Sequence, residues 1–222
     1  MHPIALCLAA LLAGVSAAQA ATVHVTVLAK DGKPLPDAVV LFEPAAGQPV
    51  PAATPTTQTV TQENMQFDPV VSVVPVGSKL RFSNLDRWDH HVQGGAPGLM
   101  ATGPAAFEFR LAGRVDGQAP ATSEVALGRA GPIRLSCHLH GSMRGFVYVA
   151  PTPWAGKTGA NGTVVLAQVP EGAMQLRIWH PYQLVDPAPL AVQVQPVTTL
   201  SVPTPVQPPK PRRAVGGHGV GH

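Results

Sequence analysis

Proline and glycine constrain this chain more than any other feature. They number 25 and 22 among 222 residues, and one or the other interrupts every alanine-rich patch that could otherwise run as a helix. Between the breaks lie short runs of β-branched and aromatic residues, many of them alternating with period two. ATVHVTVLA alternates up to KDGKPLPDA, and VVLFEP resumes beyond it, which predicts a hairpin around an Asp-Gly turn. A connector rich in Pro, Thr and Ala follows from Ala45 to Thr57. FDPVVSVVPVGSKLRFSN predicts two strands around Pro75, Val76 and Gly77, and HHVQG, FEFRLAG and SEVAL are further candidates. GPIRLSC and GFVYVAP form the last pair of this block, with a histidine-bearing loop between them. After Pro153, GANGTVVLAQVPEGAMQLRIWHPYQL and LAVQVQPVTTLSVP add three or four short strands with Asn-Gly and Pro-Glu-Gly turns. Strands at this spacing predict an all-β sandwich rather than alternating βαβ units. From Pro203 the chain has no apolar periodicity and is rich in Pro, Gly and basic residues, so disorder is expected there.

The first twenty residues, MHPIALCLAALLAGVSAAQA, contain no acid, Lys or Arg and end in the small-x-small pattern Ala18-Gln19-Ala20. They predict an export signal cleaved after Ala20, with an apolar run too short to span a bilayer. No later segment is apolar enough for a membrane helix, so a periplasmic or secreted location is expected. Cys7 would leave with the signal, and Cys137 would be the one cysteine of the mature chain. In an oxidising compartment a lone thiol is a liability unless it is buried or bound. Without Lys210, Arg212 and Arg213 the charges balance. The composition therefore makes no case for nucleic acid.

The loop CHLHGSMRGFVYV supplies the chemistry. Cys137, His140 and Met143 stand in a C-x2-H-x2-M pattern between two strands, where a tight loop can turn all three donors toward one point. A second histidine must come from elsewhere, and the candidates are His90 and His91, after a strand ending in FSN. Two imidazoles, a thiolate and a weak axial thioether make the donor set of blue-copper electron transfer. The thiolate and imidazoles suit both oxidation states, and the weak axial donor keeps the site from relaxing to square-planar geometry. A tetrahedral zinc site is the rival for Cys and His, but zinc has little use for a thioether. A Cys-His hydrolase needs an orienting third group and oxyanion donors that this spacing does not suggest. His138, between two ligands, is expected to point to solvent or to brace the site from behind, with a role as second-metal ligand the lesser alternative. His24 and His180 are expected to be structural.

FSNLDRWDHHV together with CHLHGSMRGFVYV resembles the cupredoxins, the blue copper proteins such as plastocyanin, amicyanin and azurin, and the Cys-to-Met spacing is most like amicyanin. That resemblance implies a Greek-key β-sandwich holding one type 1 copper. Aligned on the family's His-Asn-Val, His90 is the ligand and His91 takes the asparagine's place, where the family braces the cysteine loop. From residues 22 to 183 the chain is also similar to exported plastocyanin-like proteins labelled methylamine utilization proteins. They share QF-x-P, HHV, TPW and LR-x-WHP. In them a cupredoxin stands inserted in a small carboxypeptidase-regulatory-like β-sandwich, built from an N-terminal hairpin and C-terminal strands. The implied organisation is a signal peptide over 1–20, the hairpin over 21–45, the copper-binding domain over 58–151, C-terminal strands over 152–203 and a disordered tail over 204–222.

The functional expectation is a non-enzymatic carrier of single electrons between transient redox partner proteins. Its ligands would be His90, Cys137, His140 and Met143, with His91 and His138 as alternates or braces. The alternative is a copper-binding or delivery protein without electron transfer. Leu139, Pro97, Leu99 and Met100 could form an apolar docking patch around the outermost ligand.

Overall fold

The computed structural model describes residues 20–45, 47–97 and 106–209, and among them are sixteen strands and no helix. The all-β expectation holds. None of the described residues forms a helix long and apolar enough to cross a membrane.

The strands form four sheets, stacked as two sandwiches. In the first, β1 (Ala20–Leu28) lies between β13 (Thr163–Pro170), antiparallel, and β16 (Val197–Pro203), parallel. Its alternation decides its faces: Ala21, Val23, Val25 and Val27 are buried and the residues between them are half-buried. The facing sheet runs β12 (Ala155–Lys157), β2 (Val39–Pro44), β14 (Gly172–Trp179) and β15 (Leu190–Val194). Ladder pairing between the two strands flanking Asp31-Gly32 is limited to a single bridge, Leu28 to Pro34. Pro34 and Pro36 lack the N–H donors a longer ladder needs. The chain crosses instead to the opposite sheet, so β1 and β2 face each other across the core they share.

The second sandwich has a five-stranded sheet in the order β5 (Val71–Pro75), β11 (Arg144–Ala150), β10 (Gly131–Cys137), β7 (His90–Gly95) and β8 (Phe107–Leu111). Its four-stranded partner runs β4 (Gln66–Asp68), β3 (Thr57–Glu63), β6 (Lys79–Asn84) and β9 (Thr122–Ala126). Phe67, Leu80, Phe82, Val92, Leu135, Val147 and Val149 fill the space between them. β3 lies at the end of what reads as connector. It is mostly Thr and Gln, with only Val60 and Gln62 buried, so it carries no apolar run to mark it.

Two strands are buried on both faces and join the sandwiches. On β2, Val40 and Phe42 enter the first core, while Val39 and Leu41 turn outward. On β11, Val147 and Val149 enter the second core, while Phe146 and Tyr148 turn outward. The outward residues meet Val71 and Trp179 in a third apolar cluster. The Trp179 ring lies 5.5 Å from that of Tyr148 and 6.2 Å from that of Phe146. Continuous apolar strands such as VVLFEP and GFVYVA are what double burial demands.

Disorder was expected from Pro203 onward, but Thr204 to Val206 are ordered against β1. Thr204 donates its N–H to Leu28 O at 2.9 Å, Lys30 donates to Val206 O at 2.8 Å, and Val206 is buried. These residues prolong the partnership of β16 with β1, which polar composition alone does not reveal. Residues 210–222, with His218 and His222, lie outside the described residues, as do residues 1–19 of the segment 1–20 read as an export signal. His24 is half-buried on β1. His180 is buried beside the third cluster, where its Nδ1 accepts the Tyr182 N–H. Burial pushes its pKa down, against a backbone hydrogen bond with Pro36 and the charge of Asp37.

Trp179→Ala should destabilise the protein by about 3–5 kcal/mol, the range for truncating a large buried aromatic. Chemical denaturation would show it, with the loss falling on both sandwiches because the ring sits between them.

Candidate metal centre

The site grows out of the pairing of β7 with β10. Cys137, the last residue of β10, stands opposite Val92. Period-two alternation then sends His90, Val92 and Cys137 toward the core and His91 and His138 to the other face. The backbone locks this arrangement, with His138 N–H donating to His91 O at 3.0 Å. The His91 N–H points at the Cys137 Sγ at 3.4 Å.

The loop after Cys137 folds back so that Met143 N–H donates to His140 O at 3.0 Å. That turn brings His140 over the thiol. Cys137 Sγ lies 3.6 Å from His90 Nδ1 and 3.7 Å from His140 Nδ1, and the two Nδ1 atoms are 3.1 Å apart. A circle through the three donors has a radius of about 2.0 Å, close to the length of a metal–imidazole bond. Two nitrogens and a sulfur at that spacing suit a trigonal metal. His90 is fully buried, Cys137 nearly so, and His140 is half-buried. Met143 is buried at the far end of the loop in the same apolar cluster as Cys137.

Between the two histidine candidates the geometry is plain. His90 faces Cys137 and His140, whereas His91 faces outward and pairs with Glu108 at 2.7 Å. His138 is exposed and bonds Gln93 Oε1 at 3.0 Å, away from the thiol. Leu139 is 49% exposed beside His140 and Pro97 is half-buried, while Leu99 and Met100 lie outside the described residues.

Two residues that hold His90 escape a motif search. Asn84, buried at the end of β6, donates from Nδ2 to Trp88 O and Ala112 O and accepts the Asp86 N–H. It thereby shapes the loop that delivers Asp86 and His90. Gly113 lets this loop approach, since a Cβ there would fall 2.2 Å from Arg87 O. Asp86 accepts N–H bonds from Asn64 at 2.7 Å and Met65 at 2.9 Å, both in left-handed turn conformation. Its Oδ2 also lies 2.9 Å from His90 Nε2. Burial pushes the Asp86 carboxyl up, but the bonds from Met65, His90 and Asn64 outweigh it and hold its pKa below the usual value. A carboxylate on Nε2 fixes the ring with Nδ1 toward the thiol, the bracing that metal-bound histidines typically show. The signal in the sequence was an acid four residues before His90, indistinguishable there from any loop aspartate.

No family model matches the chain, and no curated protein matches it. Solved structures similar to it include cupredoxins and a copper nitrite reductase. Amicyanin from Paracoccus versutus is 19% identical over 50% of this chain and 97% of its own, with a TM-score of 0.34. Auracyanin from Roseiflexus castenholzii is 18% identical over 45% of this chain and 100% of its own, with a TM-score of 0.34. The Cu-containing nitrite reductase from Thermus scotoductus is 22% identical over 49% of this chain, with a TM-score of 0.35. This chain spans only 25% of that reductase.

Asp86→Asn should keep the fold but weaken metal binding by about ten- to a hundred-fold, the usual cost of losing a carboxylate behind a ligand histidine. Competition against a chelator of known affinity would measure it, and unchanged affinity would mean that Asp86 does not brace the site.

Proposed function

We propose that this chain is an exported type 1 copper protein that carries single electrons between redox partners. The observation that carries the reading is the cluster of His90 Nδ1, Cys137 Sγ and His140 Nδ1 at mutual distances of 3.1–3.7 Å. Copper held there would supply a one-electron couple. The protein's contribution is to keep the donors still: His90 is clamped by Asp86, Cys137 by its strand end and the His91 N–H, and His140 by the turn to Met143. Donors held by such contacts change little between oxidation states, which is what fast transfer requires.

With Met143 as a weak fourth ligand, no position is left for a substrate, and the reading is of a carrier rather than an enzyme. The copper-binding unit is residues 58–151, and the leader over 1–20 would export the chain to the periplasm or beyond. His140 is the least buried of the three donors, and exposed Leu139 beside it suits a small, transient docking surface. Copper binding or delivery without electron transfer is the second reading. It is favoured by the further pair of histidines, His91 and His138, that lies against the back of the same strands.

The full chain with one equivalent of Cu(II) should show an intense thiolate charge-transfer band, bleached by reductant and restored by oxidant. Cys137→Ser should abolish the band and leave the sandwiches folded. Met143→Leu should keep the colour and raise the reduction potential, because the donor that favours Cu(II) is lost. Copper binding without colour would turn the assignment to the delivery reading.

Leu139→Glu should slow electron exchange with the physiological partner and leave the spectrum unchanged. Equal stopped-flow rates for the variant and the parent would remove Leu139 from the docking surface.

A further inference from the structure

The alternation that turns His90 and Cys137 inward has a second product on the outer face of the same sheet. Each ligand-bearing strand carries two chemistry-bearing residues in succession, His90-His91 on β7 and Cys137-His138 at the end of β10. One of each pair goes to each face. The outer pair meets Glu108 of β8, which stands opposite Gln93.

We propose that His91, His138 and Glu108 form a second metal site, for a borderline divalent cation such as Zn(II) or Cu(II), behind the Cys137 centre. One donor atom from each of the three lies within 4.8 Å of the others. The imidazole rings stand 5.0 Å apart at 62°, and His91 Nε2 is 2.7 Å from Glu108 Oε1. Gln93 Oε1, 3.0 Å from His138 Nε2, adds a neutral oxygen at the rim. Two imidazoles and a carboxylate are the donors such a cation takes, with solvent completing the shell.

The donors must draw together to coordinate, and their exposure allows it: Glu108 and His138 are exposed and His91 is half-buried, so their side chains can turn without disturbing the core. The cation opposite His91 is neutralised. Arg110, opposite His91 on β8, bonds Asp89 through Nε at 3.1 Å and through Nη2 at 2.9 Å. A bound metal would take the place of the direct contact between His91 and Glu108. The site also lies within a few bonds of the inner one. The His91 N–H is on the Cys137 sulfur, and His138 follows Cys137 directly.

The test is a calorimetric titration of the full chain with Zn(II), which needs no copper at Cys137. The inner donors take up zinc equally in all variants, so the readout is the difference from wild type. Wild type should bind one equivalent more than His138→Ala, and Glu108→Gln should weaken that equivalent at least tenfold. Both positions are exposed, and Glu108→Gln should leave any thiolate–copper band intact. A chain with His218→Ala and His222→Ala should still bind the extra equivalent. Equal zinc uptake by wild type and His138→Ala would overturn the site. Loss of the extra equivalent only in the tail variant would overturn it too, by moving the binding to the C-terminal histidines.

Discussion

The register of β7 against β10 is the constraint on which the rest of the site depends. With Cys137 opposite Val92, His90 and Cys137 share the inner face and His91 and His138 share the outer one. A slip of one residue would exchange every pair. The buried apolar residues on the same strands oppose such a slip, because Val92 and Leu135 would then leave the core. The hydrophobic effect thus sets the position of polar donors that gain nothing from it themselves.

Around that register two buried polar side chains share one task. Asn84 and Asp86 are among the few buried polar residues, and both hold the loop that carries His90. The tight turn at Asn64 and Met65 gives its N–H groups to Asp86. A carboxylate with three donors satisfies the rule that a buried charge must be compensated. The bond from Asp86 fixes the orientation of the His90 imidazole.

The doubly buried strands β2 and β11 tie this site to the other sandwich. β11 leaves the loop of His140 and Met143 at Arg144 and runs at once between the second core and the cluster around Trp179. Movement of one sandwich against the other would therefore strain the strand that anchors the loop of His140 and Met143.

Much of this was legible beforehand. The breaks at Pro and Gly excluded helices, the period-two runs marked most strands, and C-x2-H-x2-M named three of the proposed donors. Strand β3 was not legible, because a polar strand buried at only two positions has no apolar signature. Nor was the order of Thr204 to Val206, which comes from hydrogen bonds to β1 across 176 residues of sequence. The crossing of β1 and β2 to opposite sheets was hidden behind an Asp-Gly turn that by itself suits a hairpin.

By itself the sequence determined the class of fold and the kind of chemistry, since both follow from local properties: backbone breaks, alternation, and which side chains can ligate a metal. Only the tertiary structure decided that His90 and not His91 faces Cys137, that Asp86 braces it, and that Glu108 joins the outer pair. Those are questions of which face a residue occupies and what stands opposite. Strand pairing between distant segments answers them, and no spacing along the chain encodes it.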